Sequence, residues 1–146
     1  MRAQQEVRIV TGGAGCWLPK VTLECRPLKS HASQRLAQYH CGLHSTIVAN
    51  AAYHVHMPEL VRQAKAAIDS GETELGCRCR QGRHRSVATA FLLGQCLTHI
   101  GFHVSTRHLQ QHTWPCDSSC SDCNTTLATV SRRQAVQHVI HLWHSA

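Results

Sequence analysis

The sequence predicts an α/β fold: one domain with a single sheet, flanking helices and a phosphate-binding loop between a strand and a helix. Segments rich in β-branched residues alternate along the chain with segments of helical periodicity, a pattern typical of such folds. The length of 146 residues suits one domain with a sizeable core. Cys79 and Arg85, separated by five residues, lie between a strand-like and a helix-like segment, which predicts the loop.

Four segments have the alternation and the β-branched content of strands. They are residues 6–11, 21–25, 72–79 and 102–105. The first of them ends in the glycine-rich turn TGGAG, which lacks the lysine and hydroxyl ending of a nucleotide-triphosphate loop. We therefore expect an ordinary turn there and no nucleotide cofactor.

Four other segments have the apolar spacing of helices. They are residues 33–43, 59–69, 86–99 and a last amphipathic segment that begins at Ser131. Residues 110–126, between the last strand segment and the last helical segment, are polar, aperiodic and rich in cysteine. The predicted organisation is an α/β domain over residues 1–109, a cysteine-rich loop over 110–126 and a C-terminal helix over 127–146 that packs on the same domain.

The charge of the chain favours polyanionic partners. Fifteen Lys and Arg against eight Asp and Glu give a net charge of +7 with thirteen His counted as neutral. Such a surface attracts phosphate groups, although a basic balance also serves solubility alone. No apolar run approaches the roughly 18 residues that span a bilayer, and the N-terminus lacks the apolar block of a secretory signal. We expect a cytoplasmic protein with no membrane partner.

The run CRQGRHRS, residues 79–86, predicts an oxyanion site. A strand that turns through a glycine into a helix directs unpaired backbone N–H groups to one spot, where the helix dipole also favours negative charge. Arg85 adds a planar fork suited to two phosphate oxygens, and Arg83 and His84 raise the local positive potential. The predicted ligand is a phosphate, a phosphate ester or a nucleic-acid backbone.

The same spacing is found in cysteine-dependent phosphatases, in which Cys79 would be the nucleophile and Arg85 would hold the phosphate. Hydrolysis also needs a general acid, and no separate loop before Cys79 carries one. Trp114-Pro115 leads to Cys116 rather than to an aspartate, and Arg78 precedes the cysteine where phosphatases have a histidine. The sequence therefore favours phosphate recognition over catalysis; a structural loop with an incidental anion is a third interpretation.

Three blocks of sequence carry a resemblance to a known family. They are LECRPL over residues 23–28, GCRCRQGRHRSV over 76–87 and HVSTRHL over 103–109, in this order and with a helix between the last two. Together they resemble the C-terminal domain of the RapZ family of RNase adapter proteins, over about residues 6–109. In that family the domain is an α/β fold whose loop binds a phosphorylated amino sugar, and the full protein presents a small regulatory RNA to an endoribonuclease.

The resemblance implies a regulatory or adapter role, with a phosphorylated small molecule or RNA as ligand and a protein partner. It implies a phosphate site at Cys79, Gln81, Gly82, Arg83, His84, Arg85 and Ser86, with Arg26 as a neighbour. It also implies that Arg107 and His108 lie near an RNA-binding surface. The chain departs from the family in three ways: the N-terminal half with its nucleotide-triphosphate loop is absent, Arg80-Gln81 replace small residues, and no lysine-rich tail follows.

The remaining cysteines indicate a metal site. Nine cysteines is an odd number and most are scattered, which does not suit a disulfide framework. Cys116, Cys120 and Cys123 lie within eight residues, and two histidines precede the first of them, His112 by four residues and His108 by eight. Three sulfurs and one imidazole complete a tetrahedral zinc shell. We expect structural Zn²⁺ on the three cysteines and His112. The alternatives are free thiols or a redox disulfide, and a catalytic metal.

Overall fold

In the computed structural model, which describes residues 5–146, four parallel strands form one sheet. In chain order they are β1 (Glu6–Gly12), β2 (Thr22–Glu24), β3 (Glu74–Arg78) and β4 (His103–His108). Their order across the sheet is β2-β3-β1-β4. The five helices around it are α1 (His31–Leu36), α2 (Ser45–Ala52), α3 (Met57–Asp69), α4 (Arg85–Ile100) and α5 (Thr126–Ser145). The predicted α/β class is confirmed.

The sheet places the predicted loop beside the glycine-rich turn. β3 pairs with β1 so that Gly12 lies opposite Arg78, and with β2 so that Glu24 also lies opposite Arg78. Because the strands are parallel, their carboxyl ends meet at one edge, where ligands bind in open α/β sheets. The loop that follows β3 therefore emerges between the ends of two neighbouring strands.

The core lies between the sheet and the helices. α4 packs against β1, β3 and β4, α3 packs against β2, and α5 packs across α2, α3 and α4. The largest fully buried side chains include Ile9, Leu23, Leu60, Leu75 and Leu93. Among the described residues, no helix is both long and apolar enough to cross a membrane.

Two helices differ from the sequence prediction. The predicted helix over 33–43 ends at Leu36, and a separate helix, α2, begins at Ser45 after a segment of turns. α5 begins at Thr126 instead of Ser131, because the Thr125 hydroxyl accepts a hydrogen bond from the Ala128 N–H at 3.0 Å and caps an earlier start. Both differences concern local caps and turns, which apolar spacing does not report.

The packing of α4 generates a prediction about stability. Leu93 is 0% exposed on α4, whereas Leu127 is 82% exposed in the first turn of α5. Leu93→Ala should lower the free energy of unfolding by about 2–5 kcal/mol because it removes buried methyl groups and leaves a cavity. The matched change Leu127→Ala should cost less than about 0.5 kcal/mol. Urea unfolding in reducing buffer measures both, and similar losses in the two variants would contradict this core.

Candidate anion-binding loop and metal cluster

The loop between β3 and α4 rests on the glycine-rich turn after β1. Gly82 has φ +70°, and a Cβ there would lie 2.6 Å from the Gly12 carbonyl carbon and the Gly13 nitrogen. The Cys79 N–H donates to the Gly12 carbonyl at 3.3 Å, and the Ala14 N–H donates to the Arg80 carbonyl at 3.1 Å. Glycine is needed at 82 both for the left-handed backbone and for this close approach.

Hydrogen-bond donors converge on the sulfur of Cys79, which is 3% exposed. Its Sγ lies 3.2 Å from the Ser86 Oγ, and the backbone N–H groups of Gly82, His84 and Ser86 also point to it. Burial by itself would raise the pKa of Cys79, but these hydrogen bonds outweigh burial and lower the pKa below its ordinary value. The loop thus stabilises negative charge on the Cys79 sulfur.

Two of the three arginines in residues 79–86 point in different directions. Arg85, half-buried at the first position of α4, donates from Nη1 to the Arg26 carbonyl. Arg83 instead donates to the Gln81 side chain and, at 3.5 Å, to the Thr113 carbonyl. Arg85 and Arg26 are therefore brought together, while Arg83 is turned toward the cysteine-rich segment.

A cleft of about 340 Å³ opens beside the loop. Its charged lining consists of cations, namely Arg26, Lys29, Arg80 and Arg85. Leu28 and Ile47 contribute to its apolar wall, and none of the described residues that line it is Asp or Glu. The cleft is suited in size and charge to a small anionic molecule.

The carboxylate at the end of β2 is committed to arginines. Glu24 accepts from the Arg26 Nε at 2.8 Å and from the Arg78 Nε at 3.1 Å. Partial burial opposes ionisation, but the hydrogen bonds from these arginines prevail and hold the pKa of Glu24 below its ordinary value. An ionised, doubly paired carboxylate is poorly suited to donate a proton to a leaving group.

The three predicted cysteine ligands do come together, but with a different histidine. The His40 Nδ1 lies 3.9 Å from the Cys116 Sγ, 3.5 Å from the Cys120 Sγ and 3.9 Å from the Cys123 Sγ. The sulfurs of Cys116 and Cys123 are 4.0 Å apart, and all four ligand atoms lie within 4.8 Å of one another. A tetrahedral zinc with bonds of about 2.3 Å to sulfur spaces two sulfurs by about 3.8 Å. His40, Cys116, Cys120 and Cys123, hereafter the metal cluster, therefore form a candidate site compatible with zinc.

The choice of His112 as fourth ligand is corrected by this geometry. His112 is exposed in a 3₁₀ turn over Gln111–Thr113, before the chain reaches Cys116, and it does not belong to the cluster. His40 comes from the turn after α1, 76 residues before Cys116, and its side chain is only 12% exposed. Spacing along the chain identifies only ligands that are close in sequence, and His40 is far from Cys116. The signal nearest to His40 is the neighbouring Cys41, whose N–H donates to the Cys116 Sγ at 3.3 Å.

Further contacts hold the residues of the metal cluster in place. The other ring nitrogen of His40, Nε2, lies 3.5 Å from an oxygen of Asp122. Metal-binding histidines commonly hold their second nitrogen against a carboxylate in this way. Partial burial opposes ionisation of Cys116, but hydrogen bonds from the Cys41 N–H, the Ser118 N–H and His40 lower its pKa to about 7. No disulfide joins any of the nine cysteines, all of which lie in the described part of the chain.

The residues expected near an RNA surface, Arg107 and His108, lie on the edge strand β4. Arg107 is exposed. His108 is half-buried, with its Nδ1 2.8 Å from the Thr11 Oγ1 and its ring 4.9 Å from that of Trp114. Burial lowers the pKa of His108, so its ring is neutral near pH 7 and has the environment of a packing residue. Only Arg107 of the pair presents a charge to solvent.

Comparison with known proteins adds no family: no protein-family model matches the chain, and no curated protein matches it.

The donors around Cys79 generate a prediction about its reactivity. Ser86→Ala removes the hydroxyl bonded to the Cys79 sulfur, so the pKa of Cys79 should rise and its alkylation by iodoacetamide should require higher pH. Thr98→Val, which removes a hydroxyl three turns further along α4, is the control and should leave the profile unchanged. Mass spectrometry of the Cys79 peptide across pH measures the rate. A profile unaffected by Ser86→Ala would contradict the convergence of donors on the sulfur.

Proposed function

We propose that this chain is a phosphate-ligand-binding domain in which residues 79–86 hold the phosphate group of a phosphorylated small molecule. Its role would be regulatory or that of an adapter, as the resemblance to the RapZ C-terminal domain implies. RNA, bound through its backbone, is the alternative ligand, with Arg107 on β4 as an additional contact.

The observation that carries the proposal is the convergence of three backbone N–H groups on the buried Cys79 sulfur, which is also hydrogen-bonded to the Ser86 hydroxyl, because a loop that stabilises a thiolate there also favours a bound anion. Donors fixed by the backbone need no rearrangement to accept a negative charge, and they lie at the start of α4, where the helix dipole also favours an anion. Among the described residues, the Arg85 guanidinium donates to the Arg26 carbonyl alone, so it keeps further N–H groups for phosphate oxygens. These groups are the ones that phosphate recognition requires.

The cleft beside the loop supports a small anionic ligand. A volume of about 340 Å³ accommodates the body of a small metabolite next to its phosphate. The lining offers Lys29 and Arg80 as further cations, and its described residues offer no carboxylate to an ammonium group. We therefore expect phosphate esters whose organic part is neutral or anionic to bind better than amino sugar phosphates. This expectation agrees with the replacement of small residues by Arg80-Gln81.

The proposed phosphate site predicts that a loop arginine is needed for ligand binding. Arg85→Ala should weaken binding of a phosphosugar by about tenfold or more, since a charge-assisted hydrogen bond contributes about 1.5–3 kcal/mol. Arg133→Ala is the matched control, because it removes the same charge from an exposed position on α5. Isothermal titration with phosphosugars, sulfate and short RNAs measures both variants. Unchanged affinity in Arg85→Ala would reject the site, and tighter binding of RNA with a steep salt dependence would assign the loop to an RNA backbone.

A cysteine-dependent phosphatase is the second candidate, favoured by the lowered pKa of Cys79. The thiolate would attack phosphorus to form a phosphocysteine and expel the alcohol as an alkoxide, which takes a proton from an acid or from water; water would then release phosphate. Alkyl phosphates need that acid, and the cleft lining provides no carboxylate among its described residues. Turnover of alkyl phosphates that is lost in Cys79→Ser would favour this enzyme over the binding domain.

We propose further that the metal cluster binds structural zinc. Four protein ligands leave no open coordination position, which distinguishes a structural site from a catalytic one. The segment from Leu109 to Thr125 has little apolar material of its own and contains only short 3₁₀ turns. Metal bonds would supply the order that its side chains do not.

The zinc assignment predicts metal content. Protein purified under reducing conditions without a histidine tag should contain about one zinc per chain. His40→Ala should lower the zinc content and weaken zinc binding at least about tenfold, whereas His112→Ala should retain the metal, since it lies outside the cluster. Elemental analysis and competition with a chelating dye measure both. Loss of zinc from His112→Ala with full retention in His40→Ala would show that His112, the ligand expected from spacing, is the fourth ligand.

A further inference from the structure

One segment of chain, residues 40–44, belongs to the metal cluster and also contacts the anion-binding loop. The side chain of His40 faces the three cysteine sulfurs. Its backbone carbonyl lies 2.8 Å from the Nε2 of His84. Because a carbonyl can only accept, His84 donates from Nε2 to the His40 carbonyl, and its ring is also bonded to the Ala37 carbonyl. The ring of His84 thus joins the loop to a residue of the metal cluster.

The backbone makes a second connection two residues later. The Gly42 N–H donates to the Arg83 carbonyl at 3.0 Å. A Cβ on Gly42 would lie 2.3 Å from the His84 carbonyl oxygen and 2.8 Å from the Val87 Cβ. The segment is therefore pressed against the loop where it enters α4, and the contact allows no side chain at this position.

The metal cluster contacts this segment, which is also bonded to the helices on either side: the His40 N–H donates to the Leu36 carbonyl at 3.0 Å and the His44 ring caps α2. The segment lies between α1 and α2, outside any helix or strand. The Cys41 N–H donates to the Cys116 sulfur at 3.3 Å, so its backbone is also bonded to the cluster. The Arg132 guanidinium donates to the Leu43 carbonyl at 3.1 Å, and the His44 ring packs on that of His40 with centroids 4.5 Å apart. The cysteine sulfurs and the backbone of the loop thus contact the segment from two sides, in addition to its bonds to the neighbouring helices.

We propose that metal bound by the cluster positions the anion-binding loop through His40 and Gly42, so that metal binding and anion binding are energetically coupled. The inference rests on the function proposed above and assigns His84 and Gly42 as positioning residues for the anion site. A metal that fixes His40 fixes the carbonyl to which His84 donates. The loop backbone at 82–86 then keeps the arrangement in which its N–H groups converge on one point.

Coupling of this kind is reciprocal. If metal tightens anion binding by some factor, the anion must tighten metal binding by the same factor. Couplings between sites in proteins commonly amount to 5- to 150-fold, and for two hydrogen bonds and one backbone contact we expect about tenfold. Reciprocity holds for any coupling mechanism and so checks the measurements; the His84 and Gly42 variants separate positioning from a general gain in stability.

The first experiment uses the full chain, reduced and without a histidine tag, in zinc-loaded and chelator-treated forms. Inorganic phosphate and, separately, sulfate are titrated into each form, and circular dichroism verifies that both are folded. Zinc is then titrated in the presence and absence of saturating sulfate, which avoids direct binding of zinc by phosphate. We expect the zinc-loaded form to bind the anion about tenfold more tightly, and sulfate to tighten zinc binding by a similar factor.

The second experiment interrupts the connection without changing a metal ligand. His84→Gln keeps a donor near the position of Nε2 and should keep the difference in anion affinity between the zinc-loaded and zinc-free forms. His84→Phe retains a ring without a donor and should lose about tenfold in anion affinity. Gly42→Ala should keep its zinc content and show a similar loss, because its Cβ displaces the His84 carbonyl. The cobalt-substituted spectrum reports an intact metal site in all three variants.

The outcomes separate this inference from the proposed function. Equal anion affinity in folded zinc-loaded and zinc-free protein overturns the coupling and leaves the binding function in place. Absence of anion binding in both forms rejects the binding function and the coupling with it. If the zinc-free chain unfolds, the zinc-loaded variants decide: equal affinities of His84→Gln and His84→Phe overturn the coupling, and a loss confined to His84→Phe supports it.

Discussion

The close backbone approach between Gly82 and the turn at Gly12-Gly13 is the constraint on which the candidate site depends. No side chain larger than hydrogen fits there, and the left-handed backbone at Gly82 turns the chain from β3 toward α4. The turn allows the N–H groups of Gly82, His84 and Ser86 to face one sulfur. A parallel sheet supplies the geometry, because it brings the ends of β1 and β3 together at the same edge.

The loop stabilises negative charge by its backbone, and this property alone does not distinguish recognition from catalysis. The lowered pKa of Cys79 is common to both. The distinction lies in the surroundings: the cleft is lined by cations, and Glu24 at the end of β2 is held by two arginines. Such an environment suits a phosphate ester, and the described residues that line the cleft include no carboxylic acid for its cleavage, which is the physical basis for proposing binding.

Much of this arrangement could be predicted from the sequence, since it depends on local patterns. The strands, the glycine turn and the spacing of Cys79 and Arg85 all lie in short segments whose periodicity or residue types specify them. Three cysteines of the metal cluster were likewise identified by their proximity in the chain. His40 could not be, because its approach to Cys116 depends on how α1, α2 and α5 pack. The start of α5 was also wrong, because a Thr125 cap outweighed weak periodicity.

The central claim is that the backbone donors of residues 82–86 bind phosphate, and amide chemical shifts test it most directly. Inorganic phosphate titrated into uniformly ¹⁵N-labelled, zinc-loaded protein should shift the N–H resonances of Gly82, His84 and Ser86 together and saturably. Amides buried in α5, such as that of Val139, should remain in place. Shifts scattered over the basic surface, with these three amides unmoved at saturation, would contradict the account.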